Sequence, residues 1–184
     1  MGDLAVFEAS KHLLSNGFGT KSVCEALRIV GEGLGVDRVY IFEDSIHEGK
    51  RVASQRFEWS KSDIEPQIDN PELQNVPYSE VIPHWGIAFD RGDVVSGLVR
   101  TFPSPTKEVL EAQSIISLLV CPIYINKACW GFVGFDDCST ERIWPQELVA
   151  ALQMLANSLA ASLRHNKTKE TLEKSRLLLR GLSE

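Results

Sequence analysis

A chain of 184 residues with 43% hydrophobic and 24% charged side chains suits one domain with one core, and excludes extended disorder and fibrous repeats. The net charge of −6 is unevenly spread: residues 164–184 hold six Lys/Arg against three Asp/Glu, and residues 1–163 hold thirteen against twenty-two. So acidic a body repels phosphate backbones, which argues against nucleic-acid binding by the globular part.

The four cysteines form neither a C-x-x-C pair nor a zinc spacing, and no secretory segment precedes them, so a reducing cytoplasmic setting is expected. The longest apolar runs fall well short of the ~20 residues that cross a bilayer.

Leu4 to Leu14 carries apolar residues at Leu4, Val6, Phe7, Leu13 and Leu14 before Asn16-Gly17 and reads as a short helix. A second helix follows, with Thr20 as the expected N-cap, a stripe at Val23, Leu27, Val30 and Leu34, and Gly35 as its stop. Val36 to Phe42 and Arg51 to Trp59 alternate as strands of one hairpin. From Ser60 to Val81 the chain turns polar and carries Pro66, Pro71 and Pro77, which predicts a loop with one short strand near Val76 to Ser79.

Pro83 is placed to open a helix over Ile82 to Asp90, closed by Gly92. Val94 to Leu98 then reads as a strand, and Pro105 to Glu111 as a small helix introduced by Ser104. Ile115 to Ile125 and Ala128 to Asp136 are long apolar runs joined by Asn126-Lys127, a pair suited to a tight hairpin. Neither run alternates cleanly, so both faces of their sheet must be covered, and helices are the available cover. The expected architecture is three layers around a mainly antiparallel sheet.

Pro145 and Glu147 open a long helix with Leu148, Leu152, Leu155, Leu159 and Leu163 on one stripe. The pattern breaks at Arg164 to Thr171 and resumes weakly with Leu172 and Leu179 seven apart, beside Leu178 and Leu182. A projecting helix with partial heptads suits a parallel coiled coil in a homodimer.

The order helix, helix, hairpin, irregular crossover, hairpin, long helix, with SIISLLVCPIYINKACWGFVGFDD at residues 114–137, resembles GAF domains of sensor histidine kinases and diguanylate cyclases. The resemblance covers residues 4–163, with Ser117 to Ile123 and Trp130-Gly131-Phe132-Val133-Gly134-Phe135-Asp136 as its most specific parts. Pro83-His84-Trp85 and Val94 to Gly97 resemble the family's pocket-flanking helix and strand.

The resemblance implies an α+β, GAF-like (profilin-like) fold whose five- or six-stranded, mainly antiparallel sheet has helices on both faces. It implies a non-catalytic sensory domain over residues 1–163, a signalling helix over 164–184, and an output domain beyond it. GAF domains variously bind cyclic nucleotides, bilins, haem or other small ligands, and many serve only as dimer spacers, so the cofactor stays unknown and the fold does not name a ligand.

Phe57, Trp59, Tyr78, Trp85 and Phe89 concentrate aromatic surface near the crossover and are the expected pocket residues, each weighed against an ordinary core role. Trp130, Gly131 and Gly134 are read structurally, the glycines admitting a covering helix. Asp136-Asp137 is read as a strand end. Cys121, Cys129 and Cys138 are the candidates for a thiol-dependent methionine sulfoxide reductase, the enzymatic alternative, although Cys121 sits in an apolar strand. No histidine adjoins a cysteine as a bilin attachment site would require, His84 alone is thin support for a haem, and the context of His165 does not match a kinase phosphoacceptor.

Overall fold

The computed structural model describes residues 2–182; Met1, Ser183 and Glu184, which the expected domain limits include, lie outside the described residues. Helices α1 (Gly2–Asn16) and α2 (Thr20–Leu34) precede the hairpin β1 (Arg38–His47) and β2 (Lys50–Ser60). The crossover carries β3 (Val76–Pro77), α3 (Tyr78–Val81), α4 (Pro83–Asp90), β4 (Val95–Leu98) and α5 (Thr106–Ala112). The second hairpin, β5 (Ser117–Ile125) and β6 (Ala128–Asp137), leads into α6 (Gln146–Gly181).

The six strands form one antiparallel sheet in the order β3-β2-β1-β6-β5-β4. Both hairpins close on two residues with left-handed backbone: Glu48 and Gly49 at φ 49° and 77°, and Asn126 and Lys127 at φ 51° and 66°. Such turns match the twist of the strands they join. The expected strands are present, except that Tyr78 and Ser79, expected to continue β3, begin α3 instead, and the first hairpin is longer at its turn than its apolar residues suggest.

Each sheet face has its own core. Val39, Ile41, Leu119, Cys121, Ile123, Val133 and Phe135 meet the terminal helices, which contribute Leu13 of α1, Val23, Leu27 and Val30 of α2, and Leu152, Leu155 and Leu159 of α6. Tyr40, Phe42, Leu118, Val120 and Phe132 face the crossover, against Tyr78, Trp85, Phe89 and Leu110. The sandwiched sheet is why β5 and β6 read as continuous apolar runs.

Helix α2 ends as expected: Gly35 is left-handed at φ 63°, and the Val36 N–H donates to Gly31 O at 3.1 Å. Its start differs. Gly19 occupies the N-cap position without a side-chain bond, and Thr20 is the first helical residue.

Two β-bulges decide which side chains share a face. Ile41 pairs with Phe57 while Phe42 pairs with Gln55, leaving Arg56 as an extra residue. Ile123 pairs with Gly131 while Tyr124 pairs with Cys129, leaving Trp130 unmatched. An extra residue reverses the alternation beyond it.

Gly131 corrects one expectation: what approaches it is a strand, not a helix. A Cβ on Gly131 would lie 2.0 Å from the Phe42 carbonyl oxygen of β1, and one on Gly134 would lie 2.1 Å from the Tyr40 ring. Backbone in mid-sheet cannot retreat, so Gly131→Ala is expected to cost about 1–3 kcal/mol, measured by urea unfolding. An unchanged midpoint would show that the two strands can separate there.

Arg142 joins the route into α6 to the end of α2. Its guanidinium donates to Leu34 O at 3.0 Å, to Gly35 O at 2.9 Å and to the Asp137 carboxylate at 3.1 Å. Asp137 also accepts from the backbone N–H groups of Ser139 and Thr140, so it closes the turn after β6 as the sequence suggests.

Helix α6 runs unbroken through residues 164–171, where the apolar stripe lapses. Arg164, Lys167, Lys169 and Glu170 are good helix formers, and Asn166 Nδ2 donates to Glu170 Oε1 one turn on at 3.1 Å. Its first half is packed into the domain as far as Leu163, whereas almost every residue from Arg164 onward is exposed.

Candidate functional site: a cavity between the sheet and the crossover

A cavity of about 40 Å³ lies between the crossover face of the sheet and helices α4 and α5. At roughly 10–15 Å³ for each water, that is room for about three, so a larger guest must displace part of the wall. Tyr40, Phe42 and Phe132 form an aromatic floor, Trp85 and Ile82 cover it, and Leu110 and Ile115 close one side. Phe42 stacks on Phe132 with centroids 4.8 Å apart, and Trp85 meets Phe132 edge-on at 5.8 Å.

One end is polar. Arg38 and Asp136 are direct cross-strand partners on β1 and β6, and each is 1% exposed. The Arg38 guanidinium donates to Gln113 O at 2.6 Å, to Glu65 O at 3.3 Å and to Cys138 Sγ at 3.3 Å. It thereby joins the sheet to both ends of the crossover. Its Nε lies 3.5 Å from Asp136 Oδ2 and makes no hydrogen bond. The Tyr40 hydroxyl donates to Asp136 Oδ1 at 2.8 Å.

Beside this pair, Glu58 accepts from the Gln67 backbone N–H at 2.9 Å and from Gln55 Nε2 at 3.0 Å. Burial pushes the Asp136 carboxyl up to about 7, against the opposing influence of Arg38 and the Tyr40 hydroxyl. The folded protein therefore binds this proton more tightly than the unfolded chain, whose Asp titrates near ~3.9. The stability so gained is fully present below pH ~4 and is lost as pH rises through about 7. Unfolding free energies at pH 5 and pH 8 should show the native protein losing ground to Asp136→Asn at the higher pH. A difference that stays constant or changes sign would refute this.

The expected aromatic pocket residues are divided by the sheet. Trp85 lines the cavity. Tyr78 and Phe89 lie in the wall behind it, in the same core cluster. The Tyr78 hydroxyl donates to Asp44 Oδ1 at 2.8 Å, and the Arg51 guanidinium lies 4.3 Å from its ring centroid.

Phe57 and Trp59 lie on the opposite face, against the terminal helices, where Trp59 covers Gly31 of α2. The bulge at Arg56 is the cause: Ala53 and Gln55 face the cavity, and the extra residue sends Phe57 and Trp59 the other way and leaves Glu58 on the cavity side. Trp130 likewise packs beneath the terminal helices, edge-on to Phe18 with centroids 6.2 Å apart.

Arg38, Gln55, Glu58 and Asp136 are not among the residues that the sequence singles out for the site. Asp136, expected to do no more than end its strand, is buried in β6 and faces the cavity. Its partner left a trace in the sequence: Arg38, Tyr40 and Phe42 share one parity of the buried first half of β1.

The thiols are not activated. Burial pushes Cys121 up to about 12, and Cys129 and Cys138 each up to about 11, opposite to what a nucleophilic thiolate requires. Among the described residues no cysteine or histidine lines the cavity, and His84 is exposed.

A family model described as GAF domain matches residues 21–163. The chain belongs to the GAF domain family.

A methanogenesis regulatory histidine kinase of Methanothrix harundinacea (strain 6Ac) is 36% identical over 168 residues, covering 91% of this chain and 19% of the kinase. The chain thus spans about a fifth of that relative's length. Among solved structures, the phycocyanobilin-bound GAF domain from a cyanobacterial phytochrome superposes with a TM-score of 0.71 at 18% identity, covering 92% of this chain and 97% of that one. The chromophore-binding domain of a bacteriophytochrome from R. palustris does so with a TM-score of 0.72 at 13% identity, covering 91% and 61%. These likenesses establish the α+β GAF fold, with its curled antiparallel sheet between helices. The GAF domain is a sensory domain, homologous to part of a regulatory kinase.

Among the described residues the wall offers no thiol to which a bilin could be covalently attached. Among the described residues no helix is long and apolar enough to cross a membrane.

Proposed function

We propose that this GAF domain is the sensory part of a multidomain signal-transduction protein, with a histidine kinase as its output. Residues 1–163 form the sensor, and residues 164–184 are the signalling helix that leads to the output domain. A small ligand enters the cavity and alters how the crossover sits on the sheet. The change passes to the terminal helices, which pair two copies of the chain. The observation that carries this reading is α6: one continuous helix whose first half is core and whose second half leaves the domain.

Two links make the route physical. Arg38 holds the crossover to β1 and β6 through Glu65 O and Gln113 O, and the far faces of those strands pack beneath the terminal helices. Arg142 and Asp137 tie the end of β6 to α2 just before α6 begins. A ligand that favours one arrangement of these parts shifts the population of the other in proportion to its differential affinity. Exposed Leu172, Leu178 and Leu182 supply apolar surface for a coiled coil between two copies. A cytoplasmic location belongs to the same reading.

A domain that dimerises and senses nothing is the competing reading, and it too would need α6 to be continuous. The two part on phase. Each inserted residue turns the remainder of the helix and its attached output by about 100°, so in a fusion of residues 1–184 to a kinase output, two residues added after Arg164 should uncouple or invert the output. Seven should restore it. An output indifferent to insertion length would refute relay through the helix.

A further inference from the structure

The cavity wall contains two buried polar side-chain atoms that make neither a hydrogen bond nor an ion pair: Trp85 Nε1 and Gln55 Oε1. Trp85 is 4% exposed and Gln55 is 3% exposed. A buried polar atom without a partner is costly, and two on one small apolar cavity point to a guest that satisfies them. They share one stretch of it. Gln55 stands opposite Phe42 on the neighbouring strand, Phe42 opposite Phe132, and the Trp85 ring lies 5.8 Å from Phe132.

Their chemistry is complementary. The Trp85 indole can only donate, and Gln55 Oε1 can only accept. The Gln55 amide is held in this orientation because its Nε2 donates to Glu58 Oε2 at 3.0 Å; turned over, it would set an oxygen against a carboxylate. A guest that satisfies both must present an acceptor to Trp85 and a donor to Gln55.

Charge narrows the class. The charged groups on the wall are Arg38 and Glu58, joined by Asp136 above about pH 7. The Arg38 guanidinium already serves Glu65 O, Gln113 O and Cys138 Sγ and lies beside Asp136. An anionic guest would meet repulsion without a free cation to offset its desolvation, and a cationic one would lie beside Arg38.

Resting on the sensory reading of this cavity, we infer that its ligand is an uncharged molecule with an apolar body and a carboxamide-type head. The head's carbonyl oxygen accepts from Trp85 Nε1–H, and its N–H donates to Gln55 Oε1. Carboxylates and phosphates of the same skeleton are rejected. The aromatic floor of Tyr40, Phe42 and Phe132 takes the apolar body.

Matched probes test this on the 184-residue protein: acetamide, acetate and ethane-sized hydrocarbon, then the same triplet on a propyl and on a phenyl skeleton. The readout is the Trp85 indole N–H resonance, assigned through Trp85→Phe. The expected result is saturable displacement by an amide, with the matching carboxylate at least ten-fold weaker. Gln55→Met should weaken the amide about ten-fold while leaving the hydrocarbon of that skeleton unchanged, and in Trp85→Phe protein, followed instead through the methyl resonances of Ile82 and Ile115 in the wall, the preference for amide over hydrocarbon should likewise disappear. Tighter binding of a carboxylate overturns the ligand class and leaves the sensory reading standing. An indole signal that no probe of any class moves overturns both.

Discussion

Replacing Asp136 by alanine is expected to lower the unfolding free energy by about 1–3 kcal/mol, the usual cost of leaving buried polar groups without their partner, and by less at pH 8 than at pH 5. The pH matters, because the carboxyl is pushed up to about 7 by burial and is charged mainly above that value. Arg38 would remain 1% exposed, still held by carbonyl oxygens that do not neutralise it. The Tyr40 hydroxyl would lose its acceptor as well.

Replacing both members, as Arg38→Met with Asp136→Leu, should recover much of that loss, since well-packed apolar pairs often equal buried ion pairs in stability. The recovered protein should nevertheless hold its crossover less firmly, because the Arg38 bonds to Glu65 O and Gln113 O are gone. Urea unfolding of the two single variants and the double variant supplies the comparison, with hydrogen exchange across residues 61–75 reporting the crossover. A single variant as stable as the native protein would mean that the pair is not buried as described.

The second large effect separates the halves of α6. Leu159 is 0% exposed in the core under the sheet, and Leu159→Ala should cost about 2–5 kcal/mol. Leu172 is 51% exposed on the same helix, and Leu172→Ala should change the stability of the domain by no more than about 0.5 kcal/mol. Ending the chain after Arg164 should leave the unfolding midpoint of the domain unchanged while removing any dimer formed through the projecting helix. Sedimentation and urea unfolding of the shortened protein test both. A shortened protein that unfolds early would place residues beyond 164 inside the domain.

The elements are largely legible in the sequence because their local signals agree. The stripe of α2 is followed by a glycine whose left-handed backbone stops the helix, and the second hairpin combines two apolar runs with a turn that its residues favour. The three-layer arrangement rests on one observation, that β5 and β6 are apolar on both faces.

The site is legible only in part, and the bulges explain why. Strand periodicity places Gln55, Phe57 and Trp59 on one face. The extra residue at Arg56 separates them, and nothing in the local sequence marks it. Phe57 and Trp59 therefore lie under the terminal helices, while Glu58, whose charge suggests a surface position, turns to the cavity. Arg38 and Asp136 stay hidden for a related reason. They are ordinary strand-end charges until the pairing of β1 with β6 sets them opposite each other, and that pairing joins segments about a hundred residues apart. Trp85 is within reach of sequence reasoning because aromatic density near the crossover is the right signal, and it needs only the correct face.

The enzymatic alternative weakens on geometry together with titration. Cys121 lies in the core beneath the terminal helices, away from the cavity, and the buried thiols are shifted away from reactivity.

The central claim is that the cavity between the sheet and the crossover holds a small signal molecule. Native mass spectrometry of the protein purified from its own host tests this most directly. The expected spectrum shows a retained small molecule, of near one-to-one stoichiometry, that is lost from Trp85→Phe and Gln55→Met protein. Protein from that host carrying no small molecule, or a bound mass indifferent to both substitutions, would contradict the account.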